Sequence, residues 1–201
     1  GDMHTTQRFD RQIEFLLELD GLKNVLRRSY VLKSRRPENS AEHSWHIAAM
    51  AFVLAEYADA AVDLCRVAVM LLIHDAVEID AGDTYCYDQT GALDKHQREN
   101  RAADRLFGIL PPDQERWFRE LWEEFEANET PDAGFANAVD RLMPLLHNYY
   151  SGGISWMEHG ISTDMVRKRM EPIQYGSKRL WEYAQGLIDK AEAAGYLIPK
   201  P

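Results

Sequence analysis

Residues 67–78 read Val-Ala-Val-Met-Leu-Leu-Ile-His-Asp-Ala-Val-Glu and set a polar pair, His74-Asp75, at the end of the longest apolar run. That run, Val67 to Ile73, is much shorter than the roughly 18 residues of a membrane span, so it predicts a buried helix. An unpaired buried carboxylate is strongly unfavourable, so Asp75 needs a partner. A metal ion could supply one. So could an arginine, with His74 bonded to a backbone carbonyl.

The sequence around this run predicts helices almost throughout. Asn39 and Glu42 form a capping box at the start of one helix, Thr130-Pro131 starts another, and Gly82 ends a third. No stretch alternates with period two over a strand's length, and Pro37 predicts an extended, irregular segment over residues 27–37. The fold class is therefore expected to be all-α. The expected helices cover residues 9–20, 40–57, 59–79, 94–106, 111–125, 131–150 and 172–194.

Length and charge limit the classes of function. The 201 residues fit one domain, and the net charge of −10 argues against binding of nucleic acid polymers. A small phosphorylated ligand stays compatible with that charge. The sequence contains no membrane-spanning run, and Cys65 and Cys86 are expected to be free thiols in a reducing cytoplasm.

Two further polar residues lie in helical, largely apolar surroundings. His43 falls on the first turn of the helix capped at Asn39, and Asp140 lies in the apolar stretch 135–144. Either could be structural, with His43 packing on a nearby aromatic ring and Asp140 pairing with Arg141. The order His, His-Asp, Asp on separate helices favours a shared site, since packed helices can converge such ligands in a bundle interior. Two imidazoles and two carboxylates suit Mn, Fe, Co, Ni or Zn.

Three segments together carry a resemblance to a known family. They are Arg36-Pro-Glu-Asn-Ser-Ala-Glu-His43, His74-Asp-Ala-Val-Glu-Ile-Asp-Ala-Gly-Asp83 and Ala138-Val-Asp-Arg-Leu142. In this combination and spacing the chain resembles the HD-domain metal-dependent phosphohydrolases, in particular the 5′-deoxynucleotidase branch. The resemblance implies an HD-domain helical bundle. It also implies a single domain over residues 1–201, with a core of about 9–150 and a C-terminal helical extension over 151–201.

The resemblance also implies roles for individual residues. One divalent transition metal (Mn, Co, Fe, Ni or Zn) would be held by His43, His74, Asp75 and Asp140. Glu78 would act on the nucleophilic water, and in a continuous helix it would lie one turn beyond His74 on the same face. Asp83 would contact the substrate. The simpler alternatives are a solvated charge at the helix end for Glu78 and a capping role for Asp83.

Phosphate recognition requires cationic side chains, and five of them cluster before the first expected ligand: Arg27, Arg28, Lys33, Arg35 and Arg36. The resemblance implies that an arginine of this stretch binds phosphate, because a guanidinium can hold it with two parallel hydrogen bonds. Arg28 is the nearest positional match, and a shift of one residue would select Arg27. Most of the stretch is expected to be a solvated basic loop.

The remaining histidines are weaker candidates. His96 could serve a second metal, but no neighbouring histidine supports that role. His46 is expected to pack or to lie at the surface, and His147 and His159 are expected to be structural.

The expected reaction is hydrolysis of a phosphomonoester, in particular a (deoxy)nucleoside 5′-monophosphate. One departure concerns residues 84–88, Thr-Tyr-Cys-Tyr-Asp, where relatives of this type carry a proline. This loop would flank the substrate, so a different phosphate or pyrophosphate substrate stays open, as does a ligand-binding module without turnover. The resemblance implies a homodimer.

Overall fold

The structure, a computed structural model, describes residues 2–199 and is dominated by helices, which confirms the all-α prediction. Among these residues no helix combines the length and the apolarity needed to cross a membrane. The α-helices are α1 (Asp2–Leu19), α2 (Ser40–Val53), α3 (Leu64–Ile73), α4 (Glu78–Ala81), α5 (Lys95–Phe107), α6 (Pro112–Ala127), α7 (Pro131–Tyr150), α8 (Ile154–His159), α9 (Thr163–Met170), α10 (Ile173–Gly176) and α11 (Lys178–Ala193).

A short hairpin replaces the irregular segment expected before α2. Strand β1 (Leu26–Tyr30) pairs antiparallel with β2 (Pro37–Asn39), and Leu26 lies opposite Asn39. Strands of five and three residues are too short to show the alternation of a longer strand. The expectation of no strands was therefore wrong for this segment, although its extended backbone was expected.

Helix α7 forms the centre of the fold. It packs against α2, α3, α6, α10 and α11, and most of its side chains between residues 133 and 147 are buried. The start predicted from Thr130-Pro131 is confirmed, because the Thr130 hydroxyl accepts a hydrogen bond from the backbone N–H of Ala133 at 3.2 Å. Two of the stretches expected to carry site residues, at the start of α2 and after α3, therefore lie against α7.

The helix expected over residues 59–79 differs from the observed structure. It begins only at Leu64, where the Asp63 side chain caps it, and it ends at Ile73. Residues His74–Val77 form a 3₁₀ turn before α4, so His74 and Asp75 do not lie on a continuous α-helix with Glu78. The predicted stop at Gly82 is confirmed, and its φ of 76° is the left-handed conformation that favours glycine. The helix expected over residues 40–57 likewise ends at Val53.

The C-terminal part contains more structure than the sequence indicated. Helices α8 and α9 occupy residues for which no helix was predicted, and the final helix is divided at Ser177 into α10 and α11. All four helices contact α7. The single domain over residues 1–201, with its core and extension, stays a prediction, and residues 1, 200 and 201 lie outside those that the structure describes.

The contact between α7 and α10 depends on the glycine at position 176. A methyl group on Gly176 would lie 2.3 Å from the carbonyl oxygen of Gly134 and 2.9 Å from Cβ of Ala138. We expect Gly176→Ala to lower the free energy of unfolding by about 1–3 kcal/mol, because the helices must separate. Urea denaturation measures this change.

Gly186→Ala in α11 is the matched control, since nothing lies within 4 Å of the added methyl. It should leave stability unchanged or raise it by up to about 1 kcal/mol, because alanine favours the helix. Equal stabilities of the two variants would contradict the close packing of α10 on α7.

Candidate metal centre

Two imidazoles and two carboxylates converge between α2, the 3₁₀ turn and α7. The capping box at Asn39 is confirmed, and it sets His43 on the first turn of α2. Nε2 of His43 lies 2.7 Å from Oδ1 of Asp140 and 4.0 Å from Oδ2 of Asp75. Nε2 of His74 lies 3.1 Å from Oδ1 of Asp75 and 3.5 Å from Oδ1 of Asp140. The four residues expected to share a site are therefore neighbours.

The donor atoms fit a single cation. Nδ1–H of His74 donates to the carbonyl oxygen of Leu71 at 2.8 Å, which leaves the lone pair of Nε2 facing the carboxylates. Two ligands of one ion with bonds of about 2.1 Å can lie up to about 4.2 Å apart, and the four separations given above fall within that span. His43, His74 and Asp75 offer ligand atoms that all lie within 4.8 Å of one another, and Oδ1 of Asp140 lies beside the two imidazoles. The set combines nitrogen and oxygen donors, which suits a divalent transition metal.

The charges of the cluster also favour a cation. Burial opposes ionisation of Asp75 and Asp140, yet the facing imidazole of His74 holds the pKa of both carboxyls below the usual range. Burial likewise opposes a charge on His74, but Asp75 and Asp140 raise the pKa of its imidazole well above the usual value. Two half-buried carboxylates that face each other's imidazole partners are stabilised by positive charge beside them, which a divalent cation can provide.

Glu78 lies beside this cluster without belonging to it. It is only 7% exposed, and its carboxyl accepts a hydrogen bond from the Ser40 hydroxyl at 2.7 Å. Burial, together with the charges of Asp75 and Asp83, raises its pKa well above the usual range. Glu78 is therefore not the solvated helix-end charge that the sequence left open. Asp83 follows Gly82 into the same cavity, where burial also raises its pKa.

In the β1–β2 hairpin the two arginines that the sequence could not distinguish lie on opposite faces of β1. Successive side chains of a strand point to opposite faces, and Arg27 turns inward while Arg28 is exposed at the rim of the cavity. The guanidinium of Arg27 lies 3.5 Å from Oδ2 of Asp75 and 3.3 Å from Oε1 of Glu38. The geometry therefore favours Arg27 as the cation that faces the cluster.

Glu38 is a residue that the sequence reasoning missed. It lies on β2, is 3% exposed, and sits between Arg27, Nδ1 of His43 at 3.6 Å and Nδ1 of His147 at 3.6 Å. A carboxylate behind a ligating imidazole orients the ring and raises its basicity. The available signal was its position in the Arg-Pro-Glu segment, five residues before His43.

The other histidines take different positions. His46 and His147 lie close to Glu38, and the three residues form a second group whose ligand atoms lie within 4.8 Å of one another. His96 is exposed on α5 beside Asn100, away from any such group among residues 2–199. Nδ1 of His159 lies 2.8 Å from the carbonyl oxygen of Ser155.

The candidate metal centre opens into a cavity of about 500 Å³. Its wall includes Arg27, Asp83, the loop after Gly82, and side chains of α7, α8 and α9. This volume falls within the range of small-molecule sites. The alternative pairing of Asp140 with Arg141 is not observed, because Asp140 faces His43 while Arg141 donates to the carbonyl oxygen of Arg169.

Known proteins are similar to this chain in sequence and in fold. The model of the HD domain family matches residues 19–181. The human protein 5′-deoxynucleotidase HDDC2 is 31% identical over 135 residues, which span 67% of this chain and 65% of that protein. Its namesake from Danio rerio is 28% identical over 143 residues, or 70% of each chain.

Two solved structures extend the comparison. A protein from Magnetospirillum magnetotacticum MS-1, described as a predicted metal-dependent phosphohydrolase, is 55% identical. It covers 96% of this chain and 97% of its own with a TM-score of 0.92. A conserved hypothetical protein from Pyrococcus furiosus shares the fold at 20% identity and a TM-score of 0.60, covering 90% of this chain and 99% of its own.

The effect of Glu38 on the neighbouring His43 can be tested by substitution. Glu38→Gln keeps the size of the side chain but removes the charge behind His43, so we expect Mn²⁺ affinity to fall by about tenfold or more. Calorimetric titration of the purified variant with Mn²⁺ measures this change. Glu42→Gln is the matched control, because Glu42 precedes His43 directly but pairs with Arg36. An affinity of Glu38→Gln equal to that of the control would contradict the positioning role.

Proposed function

Because this chain belongs to the HD domain family, we propose that it is a metal-dependent phosphohydrolase acting on a phosphomonoester, in particular a (deoxy)nucleoside 5′-monophosphate. The convergence of His43, His74, Asp75 and Asp140 carries this proposal, since the last three line one cavity together with Glu78. The names of the human and Magnetospirillum relatives support the same reaction class.

The proposal assigns the metal to the four converging side chains. One divalent transition ion, Mn, Co, Fe, Ni or Zn, would be held by His43, His74, Asp75 and Asp140. When bound, it would act as a Lewis acid toward the oxygens of the substrate phosphate. Glu38 would keep the His43 imidazole oriented from behind.

Glu78 would transfer the proton of the attacking water. Burial and the nearby carboxylates raise the pKa of its carboxyl well above the usual range, and from its place beside the cluster it would take up or give a proton as a general acid or base does. The Ser40 hydroxyl fixes its carboxyl in the cavity, and Ser40 is itself fully buried at the start of α2. Asp83, on the same wall, would contact the substrate beside the attacked phosphate.

Arg27 would bind the phosphate. Its guanidinium faces both Asp75 and Glu38 at distances too long for ideal hydrogen bonds, so a phosphate could take up its donors. Arg28, at the rim, would contribute charge to the entrance.

The proposal also covers the size of the substrate, the compartment and the oligomeric state. The net charge of −10 supports a small phosphorylated substrate rather than a nucleic acid polymer. Cys65 and Cys86 carry free thiols, which supports a reducing, cytoplasmic compartment. The homodimer stays a prediction from the family resemblance.

Phosphate release from a panel of substrates tests the proposal. With Mn²⁺ or Co²⁺, we expect release from deoxynucleoside and ribonucleoside 5′-monophosphates. Glu78→Gln should keep its metal and lose about 100-fold or more of kcat, because a proton-transfer group is removed. Asp75→Ala should lose the metal, as measured on purified protein. Asp80→Asn, on the same short helix but paired with Arg105, should keep both.

Other outcomes would select the alternatives. Release only from pyrophosphate-linked substrates would replace the monoester by another substrate on the same site. Tight nucleotide binding without release from any substrate would favour a binding module. Full metal content in Asp75→Ala would refute the ligand assignment.

A further inference from the structure

Two arginines line the cavity beside the candidate metal centre without a carboxylate partner. Arg141 follows Asp140 on α7, and Arg169 lies near the end of α9. Both are half-buried. Within residues 2–199, neither guanidinium lies within 4.0 Å of a carboxylate oxygen.

The hydrogen bonds of Arg141 leave part of its donor capacity without a partner. Its Nη1 donates to the carbonyl oxygen of Arg169 at 2.9 Å, which holds the two residues side by side. Its Nε is buried and has no hydrogen-bond partner in the structure. A buried donor without a partner is unfavourable, and so are two like charges held together. An anion between the two guanidinium groups would offset their mutual repulsion.

Many arginines outside this pair do have a carboxylate partner. The chain has 33 acidic and 23 basic residues, and carboxylates pair with arginines elsewhere. Arg167, on the same helix as Arg169, pairs with Asp189, and Arg66 pairs with Glu124 at 2.7 Å. The arginine pair therefore keeps its charge free in a cavity of an acidic protein, where a ligand can reach it.

This wall is continuous with the metal centre. Asp140 and Arg141 are consecutive, so their side chains diverge by about 100° around α7 while their Cα atoms stay about 3.8 Å apart. Arg27, Arg141 and Arg169 line the same cavity, together with Cys86. One small molecule can therefore contact both regions.

We propose that Arg141 and Arg169 form a second anion subsite, which binds a phosphate or carboxylate group of the substrate other than the phosphate that is hydrolysed. This inference rests on the proposed function and narrows its substrate class to phosphomonoesters with a second anionic group. Guanidinium groups favour such anions because they can donate two parallel hydrogen bonds. Cys86 and Tyr87, from the loop that departs from the proline pattern of the relatives, line the same cavity.

Two matched substrate pairs test the subsite. The first compares 2′-deoxyadenosine 3′,5′-bisphosphate with 2′-deoxyadenosine 5′-monophosphate, and the second compares orotidine 5′-monophosphate with uridine 5′-monophosphate. In at least one pair, kcat/KM for 5′-phosphate release should be at least about tenfold higher for the member with the second anion. The preferred pair identifies that anion as a phosphate or a carboxylate.

The ratio within the preferred pair should approach one in Arg169→Met and in Arg141→Met. Arg167→Met, a neighbouring arginine outside the cavity, should keep the ratio of the unmodified protein. No preference in either pair would overturn the subsite, and so would a preference that persists in both cavity variants. If no member of either pair is hydrolysed, the proposed function fails, and the ratios of Kd from calorimetry decide the subsite independently.

Discussion

The arrangement depends on two carboxylates, Asp75 and Asp140, that face two imidazoles inside a helical bundle. Burial disfavours charge on all four groups, yet the carboxyls stay ionised because each faces an imidazole. Such a cluster is stable only with added positive charge, either protons on the imidazoles or a bound cation. Since the Nδ1–H of His74 is used by a backbone carbonyl, its Nε2 is the ring nitrogen that faces the carboxylates, where a bound cation would take the place of a proton.

The surrounding elements each fix one part of this cluster. The capping box presents His43, the 3₁₀ turn after α3 presents His74 and Asp75, and α7 presents Asp140. The hairpin adds Arg27 and Glu38 from neighbouring strands, so the cation that faces the centre and the carboxylate behind His43 also contact each other. The cavity is lined both by the candidate ligands His74, Asp75 and Asp140 and by the arginine pair.

The sequence correctly predicted those helix starts and stops that depend on neighbouring residues in the chain. The capping box at Asn39, the Thr130-Pro131 start and the Gly82 stop depend on a few adjacent residues, and each is present. The 3₁₀ turn at His74 packs against α3, α5 and α6, and helices α8 and α9 contact α7, and the sequence patterns predicted none of these three elements. The four clustered residues were found from their order along the chain. Arg27 can be distinguished from Arg28 only from the structure, which shows the face of β1 on which each side chain lies. Glu38 is likewise identified only by its burial in the folded protein.

Anomalous scattering from crystals grown with Mn²⁺ tests the central claim most directly. The account predicts one dominant peak bounded by Nε2 of His43, Nε2 of His74 and the carboxylates of Asp75 and Asp140, with bonds of about 2.0–2.3 Å. A peak held instead by Glu38, His46 and His147, or no peak between the four predicted ligands, would contradict it.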